Sequence, residues 1–214
     1  MKQERFPLAL LAVFIAFWVW MAIDPVSRED WLLENALTAV TLPLLFFTRK
    51  RLRFSNFAYG CFFVFLTLHT LGSHYTYSLV PYDDWWQRLT GDTLNNVFGF
   101  ERNHYDRLVH FMYGFLIVVP SLEVFIAYAP PQKMWRIVMP VFFVMAHSVL
   151  YEMIEWSAAL VVAPELGEAY LGTQGDVWDA QKDMALATAG AVVMMLLIRW
   201  SPIWRHEWRR RSVS

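Results

Sequence analysis

The stretch LVHFMYGFLIVVPSLEVFIAYA, Leu108–Ala129, contains one carboxylate, Glu123, and no Lys or Arg. Roughly 20 such residues carry a helix across the hydrocarbon core of a bilayer. Five further stretches read the same way: about Phe6–Ile23, Trp31–Thr48, Phe54–Leu71, Trp135–Val162 and Lys182–Trp200. Pro43 and Pro120 fall inside two of them, Pro43 predicting a kink, and neighbouring helices or water can satisfy the freed carbonyls. The 214-residue chain is 57% hydrophobic and only 17% charged, with 11 Trp. A soluble domain has about 45–50% apolar and about 25% charged residues, so a soluble enzyme, a disordered tail and a nucleic-acid binder are poor readings. The expected fold is all-α: a polytopic membrane bundle of about six spans, occupying 1–214 as a single domain.

The first stretch follows Lys2 and Arg5 in the manner of a signal peptide. However, Trp18, Trp20 and Met21 stand where a small-residue cleavage site would lie, so it reads as a retained helix. The one cysteine, Cys61, excludes an intrachain disulfide and a thiolate zinc site; within an apolar run it reads as a small core residue.

The net charge of −1 hides an asymmetry. With six spans, Lys2, Arg5, Arg49, Lys50, Arg51, Arg53, Lys133, Arg136, Arg199, Arg205, Arg209, Arg210 and Arg211 fall on one side. Arg28, Arg88, Arg102, Arg107 and Lys182 fall on the other. Basic residues favour the cytoplasmic side, so both termini are expected in the cytoplasm of an inner-membrane protein. The basic tail then reads as an anchor on anionic lipid rather than a nucleic-acid site. The opposite side holds most of the acids: Asp24, Glu29, Asp30, Asp83, Asp84, Asp92, Glu101, Glu165, Glu168, Asp176 and Asp179. It also has two long connections, about Gly72–Arg107 and Ala163–Gln181. Within the first, YDDWWQRL (Tyr82–Leu89) mixes Trp with charge and reads as a short surface helix at headgroup level.

Ionisable groups inside spans are costly and face a cavity or a partner. The third span ends in HTLGSHYTY (His69–Tyr77), where Gly72 can break the helix and turn the chain back inward. The fourth opens with NHYDRLVHF (Asn103–Phe111), placing Asp106 and His110 four residues apart on one helical face. The fifth carries His147 and then YEMIEW (Tyr151–Trp156), with Glu152 and Glu155 at i, i+3. The sixth is entered through GDVWDAQKD (Gly175–Asp183), with Asp176, Asp179 and Asp183 at i, i+3, i+7 if helical. Glu155 lies about seven residues before the end of its span, roughly 10 Å deep.

Four helices can thus direct His69, His74, Asp106, His110, Glu152, Glu155, Asp179 and Asp183 into one cavity near the outer surface. Each has a plainer reading. Asp106 can cap its helix and pair with Arg102 or Arg107, and His69 can bond a neighbouring carbonyl. His147 can join two helices, Asp176 and Asp179 can be solvated or capping, and Tyr75, Tyr77 and Tyr105 can be interfacial. Lys182 and Arg107 are candidate partners for Glu152 and Glu155. Three chemistries stay open: a divalent metal such as Zn, Mn or Fe, general acid–base work on a lipid-linked substrate, and proton-coupled transport. In the acid–base reading Glu152 and Glu155 are the acid–base groups, His110 a proton shuttle and Asp106 its orienter. His69 and His74 complete the site, and Asp179 and Asp183 close it. A scaffold whose buried charges lock helix packing is the remaining alternative. No HExxH, nucleotide loop or GxSxG is present.

The ordered blocks HTLGSHYTY (His69–Tyr77), DRLVHFMYG (Asp106–Gly114), YEMIEW (Tyr151–Trp156) and GDVWDAQKDMALATAGA (Gly175–Ala191) resemble the YjdF-type bacterial inner-membrane family. That resemblance implies a multi-helix inner-membrane protein and carries no reaction with it. Asp106, His110 and Phe111, a later Glu152 or Glu155, and Asp179 with Gly190 and Ala191 also resemble the pattern of VanZ-like envelope proteins. Those proteins often have Gln where Glu155 stands and Asn where Asp183 stands.

Overall fold

The computed structural model describes residues 5–162 and 164–201, all of whose regular elements are helical. Lys2, Arg205, Arg209, Arg210, Arg211 and the side chains of Glu165 and Glu168 lie outside the described residues. Six longer helices form the bundle: α1 (Arg5–Met21), α2 (Arg28–Thr48), α3 (Asn56–His74), α6 (Tyr105–Tyr128), α7 (Trp135–Ala159) and α9 (Asp179–Trp200). Three short ones lie in the connections: α4 (Tyr82–Thr90), α5 (Leu94–Phe98) and α8 (Pro164–Leu171). Helix starts follow local chemistry. The Ser27 hydroxyl accepts from the Asp30 amide at 3.2 Å to begin α2, and Ser55 accepts from the Ala58 amide at 3.1 Å to begin α3. Such side chains satisfy amides that a helix leaves unpaired in its first turn.

Among the described residues four helices, α2, α6, α7 and α9, are long and apolar enough to cross a membrane; α1 is apolar but shorter. Large apolar side chains face outward from them, among them Val40, Phe47, Phe142, Ile154 and Leu197. Water would penalise that surface, whereas lipid tails solvate it. The interior is filled by Val118, Val119, Val144, Ala187, Ala191, Met195 and Ile198. Cys61 is buried among apolar neighbours, as its sequence context suggests.

Helices α6 and α9 form the most extensive packed pair, with α7 against both; α3 joins α6 to α1 and α2. The α6–α9 contact is made backbone to backbone. A Cβ on Gly114 would stand 1.7 Å from the Ala187 carbonyl oxygen, and one on Gly190 would stand 2.1 Å from that of Phe111. Small residues let helices approach this closely where no hydrophobic drive separates helix from lipid. At the end of the bundle remote from α4, α5 and α8, Glu123 accepts from the Ser55 amide at 2.8 Å, tying the start of α3 to α6.

The break expected at Gly72 takes another form. Helix α3 continues to His74, and the chain reverses at Thr76 and Tyr77, both with positive φ. Gly72 supplies space: its Cβ would lie 2.6 Å from the Tyr77 ring. The ring thereby folds back under the helix, so Tyr77 is buried, as is Tyr105, where an interfacial position was expected for both. The segment read as a surface helix is α4, and Trp85, Trp86 and Leu89 on it are exposed.

Candidate functional site

One end of the bundle gathers the starts of α2, α6 and α9 and the ends of α3 and α7. A cavity of about 50 Å³ lies there. Glu34, His69, Tyr77, Asp106, His110, Ser148, Tyr151, Glu152, Glu155, Tyr170 and Asp183 line it, and among the described residues no Lys or Arg does. Of the residues expected to meet, Asp106, His110, Glu152, Glu155, Asp183 and His69 are brought together.

His110 is the hub. Its Nε2 stands 3.4 Å from Asp106 Oδ1, one helical turn earlier, and its Nδ1 stands 3.8 Å from Glu152 Oε1 across on α7. Asp106, His110 and Asp183 each present a donor atom, and the three atoms lie within 4.8 Å of one another. Asp183 is 2% exposed and Glu155 9%. Helix α7 ends at Ala159, so Glu155 lies about 6 Å from its end, less deep than the longer expected span implied.

His69 has both ring nitrogens engaged. Nε2–H donates to the Glu34 carbonyl at 3.1 Å, and Nδ1 is hydrogen-bonded to the Tyr77 hydroxyl. The plainer reading holds for it: a buried histidine pinning α3 to α2 at Glu34. In the cavity wall His147 Nδ1 is hydrogen-bonded to the Tyr113 hydroxyl at 2.6 Å, joining α7 to α6.

Two expected members are elsewhere. His74 lies five residues beyond His69, about 140° around the helix, and its Nδ1–H donates to the Met21 carbonyl of α1 at 2.8 Å. Asp179 accepts from Arg102 at 2.6 Å and from Arg107 at 3.1 Å. Arg107 and Lys182 therefore do not pair with Glu152 or Glu155. Lys182 donates to Asp176 at 2.6 Å, and Arg107 also donates to Asp176. Asp176 precedes α9 rather than riding on it, so the expected i, i+3, i+7 row is not formed. The Lys182 ammonium and then the Arg107 guanidinium hold the Asp176 carboxyl well below the usual carboxylate range.

This ion network pins a cover. Arg102 donates to the carbonyls of Thr173 at 2.8 Å and Gly172 at 3.2 Å, and Gln174 exchanges hydrogen bonds with the Asn103 backbone. The α8–α9 connection is thereby held over the cavity, with Tyr170, Leu171 and Gly172 in its wall. Gly172 has φ +61, and its missing side chain leaves room beside Asp106 Oδ2. Burial pushes the Tyr170 phenol above its ordinary range, so its hydroxyl keeps its proton.

Glu34 was not singled out from sequence. It is 4% exposed on α2 and lines the cavity. The signal was a carboxylate inside the apolar run Trp31–Thr48, with Asp30 four residues before it. Asp30, expected among the water-facing acids, is 1% exposed. Glu34 Oε2, Glu152 Oε1 and Asp183 Oδ1 have no hydrogen-bond partner among the described residues. Buried carboxylate oxygens are normally satisfied because desolvating them is costly.

A family profile described as "Predicted membrane protein (DUF2238)" matches residues 6–202. The chain belongs to this family. The match covers every residue of the cavity and all six longer helices but for Arg5 at the start of α1. The inner membrane protein YjdF of Escherichia coli (strain K12) is 30% identical over 182 residues, covering 84% of this chain and 82% of that protein. No solved structure matches the chain. The DUF2238 membership and the long apolar helices together make it a polytopic helical membrane protein.

Proposed function

We propose that this DUF2238 protein resides in the inner membrane and acts on an envelope lipid or lipid-linked molecule through a cavity at its periplasmic end. Its six longer helices are taken as spans and both termini as cytoplasmic. The relative's printed description as an inner membrane protein supports the location. The orientation rests on the basic cluster Arg49–Arg53 at the end of the bundle opposite the cavity.

The observation that carries the reading is the chemistry of the cavity wall. Unpaired, buried carboxylate oxygens of Glu34, Glu152 and Asp183 surround His110. A scaffold would leave such groups mutually satisfied. In the proposed roles Glu152 and Glu155 exchange protons with the substrate, His110 relays them, and Asp106 orients the ring from 3.4 Å. His69 holds the wall at Glu34, and Asp179 secures the cover with Arg102 and Arg107. A cavity of about 50 Å³ accommodates roughly three or four waters or the reacting atoms of a headgroup, not acyl chains. Chains would remain in the bilayer beside α2 and α7. These two helices both line the cavity but are not an extensively packed pair among the described residues. The transport reading is less supported, since beyond His147 the interior is an apolar layer including Val118, Val119, Val144 and Met195.

The test is conversion. The wild-type chain and Glu155→Gln are reconstituted in nanodiscs with bacterial polar lipid extract, and lipid species are followed by mass spectrometry. The reading expects a species consumed by wild type and spared by the variant. An unchanged lipid pool with both proteins rejects it.

A further inference from the structure

We propose that Asp106, His110 and Asp183 form a binding site for one divalent first-row transition metal ion, with Glu152 beside it as a further carboxylate. Three independent features lead there. The first is geometry. One donor atom from each residue lies within 4.8 Å of the other two, the one such group of His, Cys, Asp and Glu side chains found among the described residues. Three donors each about 2.0–2.2 Å from one ion stand about 3.3–3.8 Å from one another. Side-chain shifts of about half an ångström would therefore close the set. The second is unmet bonding capacity. Asp183 Oδ1 has no hydrogen-bond partner among the described residues although Asp183 is 2% exposed, and the same holds for Glu34 Oε2 at 4%. Both residues line the cavity that Asp106 and His110 line.

The third is charge. Five carboxyl groups, those of Glu34, Asp106, Glu152, Glu155 and Asp183, face a space that no Lys or Arg among the described residues lines. The nearest guanidinium groups, Arg102 and Arg107, are committed to Asp176 and Asp179. Buried carboxylates are tolerated only when protonated, paired or bound to a cation. A divalent ion would compensate several at once.

The donor set selects the kind of metal. Carboxylate oxygens alone suit Mg²⁺ or Ca²⁺, whereas an imidazole among them favours Mn²⁺, Fe²⁺ or Zn²⁺. The cysteine-free site disfavours soft ions. His110 meets a further requirement of metal-bound histidines, that the ring nitrogen not used for the metal be held by an acceptor. Carboxylates stand near both of its nitrogens, at 3.4 Å and 3.8 Å. A bound ion would polarise a headgroup oxygen or supply an activated water beside Glu152 and Glu155.

This inference rests on the proposal that the cavity is the reacting site and replaces two of its roles: with the ion bound, His110 and Asp106 are ligands rather than relay and orienter, and proton exchange falls to Glu152 and Glu155; its test reads metal alone. The full-length protein is purified in detergent, stripped with chelator, and titrated with Mn²⁺ and with Zn²⁺ by calorimetry. Wild type and the surface control Glu101→Gln are expected to bind one equivalent of either ion. Asp106→Asn, His110→Gln and Asp183→Asn are expected to weaken binding at least about tenfold. Electron spin-echo spectroscopy of the Mn²⁺ complex of wild type is expected to show ¹⁴N coupling from one imidazole, a readout that does not depend on any variant folding. No saturable binding by wild type, no ¹⁴N coupling, or wild-type affinity in folded variants would each overturn the inference. Metal binding without lipid conversion rejects the lipid reading and leaves the site standing. Lipid conversion by protein that cannot bind metal rejects the site and leaves the lipid reading.

Discussion

Gly114 of α6 rests directly on the backbone of Ala187 in α9, so close that a Cβ would stand 1.7 Å from the Ala187 carbonyl oxygen. One turn towards the cavity end from each of them are His110 and Asp183, on the same two helices. The contact therefore sets how far apart these two side chains stand. Gly114→Ala is expected to push α6 from α9 and destabilise the protein by about 1–3 kcal/mol, the usual cost of overpacking. Gly60→Ala, with nothing within 4 Å of the added methyl, is expected to be neutral or mildly stabilising. Thermal unfolding in one detergent compares the two; equal melting temperatures would contradict the close packing.

Glu155→Gln keeps the shape of the side chain and removes its ionisable carboxyl. The fold should survive, with a melting temperature at or above that of wild type. Conversion of the lipid substrate should fall by about 10² or more if Glu155 takes part in proton transfer. Size-exclusion profile and lipid turnover measured on the same preparation separate folding from chemistry.

Asp176 accepts from Lys182 and Arg107 ahead of α9. Its carboxyl is held below the usual range by those two cations, whereas an Asp in an unfolded chain titrates at about 3.9. A carboxyl depressed in the folded state adds stability at pH values above the unfolded pKa and loses it as the pH falls below that value. The difference in melting temperature between wild type and Asp176→Asn should therefore be largest near neutrality and shrink as the pH falls below about 4. A difference that grows on acidification would have the wrong sign for this ion pair.

The proposed orientation is open to direct chemical labelling, because the chain has a single cysteine and Cys61 is buried. In intact cells with a permeabilised outer membrane, Asp92→Cys should react with a membrane-impermeant maleimide and Lys50→Cys should not. Both positions are exposed. The reverse pattern would put the cavity on the cytoplasmic side.

Within the carboxylate clusters, helical spacing foretold shared faces but not shared surroundings. Asp179 and Asp183 lie four residues apart on α9, about 6 Å along its axis. That one turn divides them: Asp179 is level with Arg102 and Arg107, while Asp183 is level with His110. His69 and His74 diverge for the rotational reason, one facing α2 and the other α1. Asp106 and His110, and Glu152 and Glu155, remained together because both members of each pair face the same neighbours.

Apolar length, the Ser27 and Ser55 caps and the sorting of basic residues are local properties, and local physics reads them without knowing which helices touch. They determined the membrane class and the long helices. The cavity depended on distant segments. Gly72 could be recognised as small but not as the seat of the Tyr77 ring. Glu34 could be recognised as a carboxylate in an apolar run but not as a neighbour of Glu155. Whether a buried acid is paired with a guanidinium, as Asp179 is, or left facing an unneutralised cavity, as Asp183 is, depends on contacts of a few ångströms between helices far apart in the chain, and only the tertiary structure sets those.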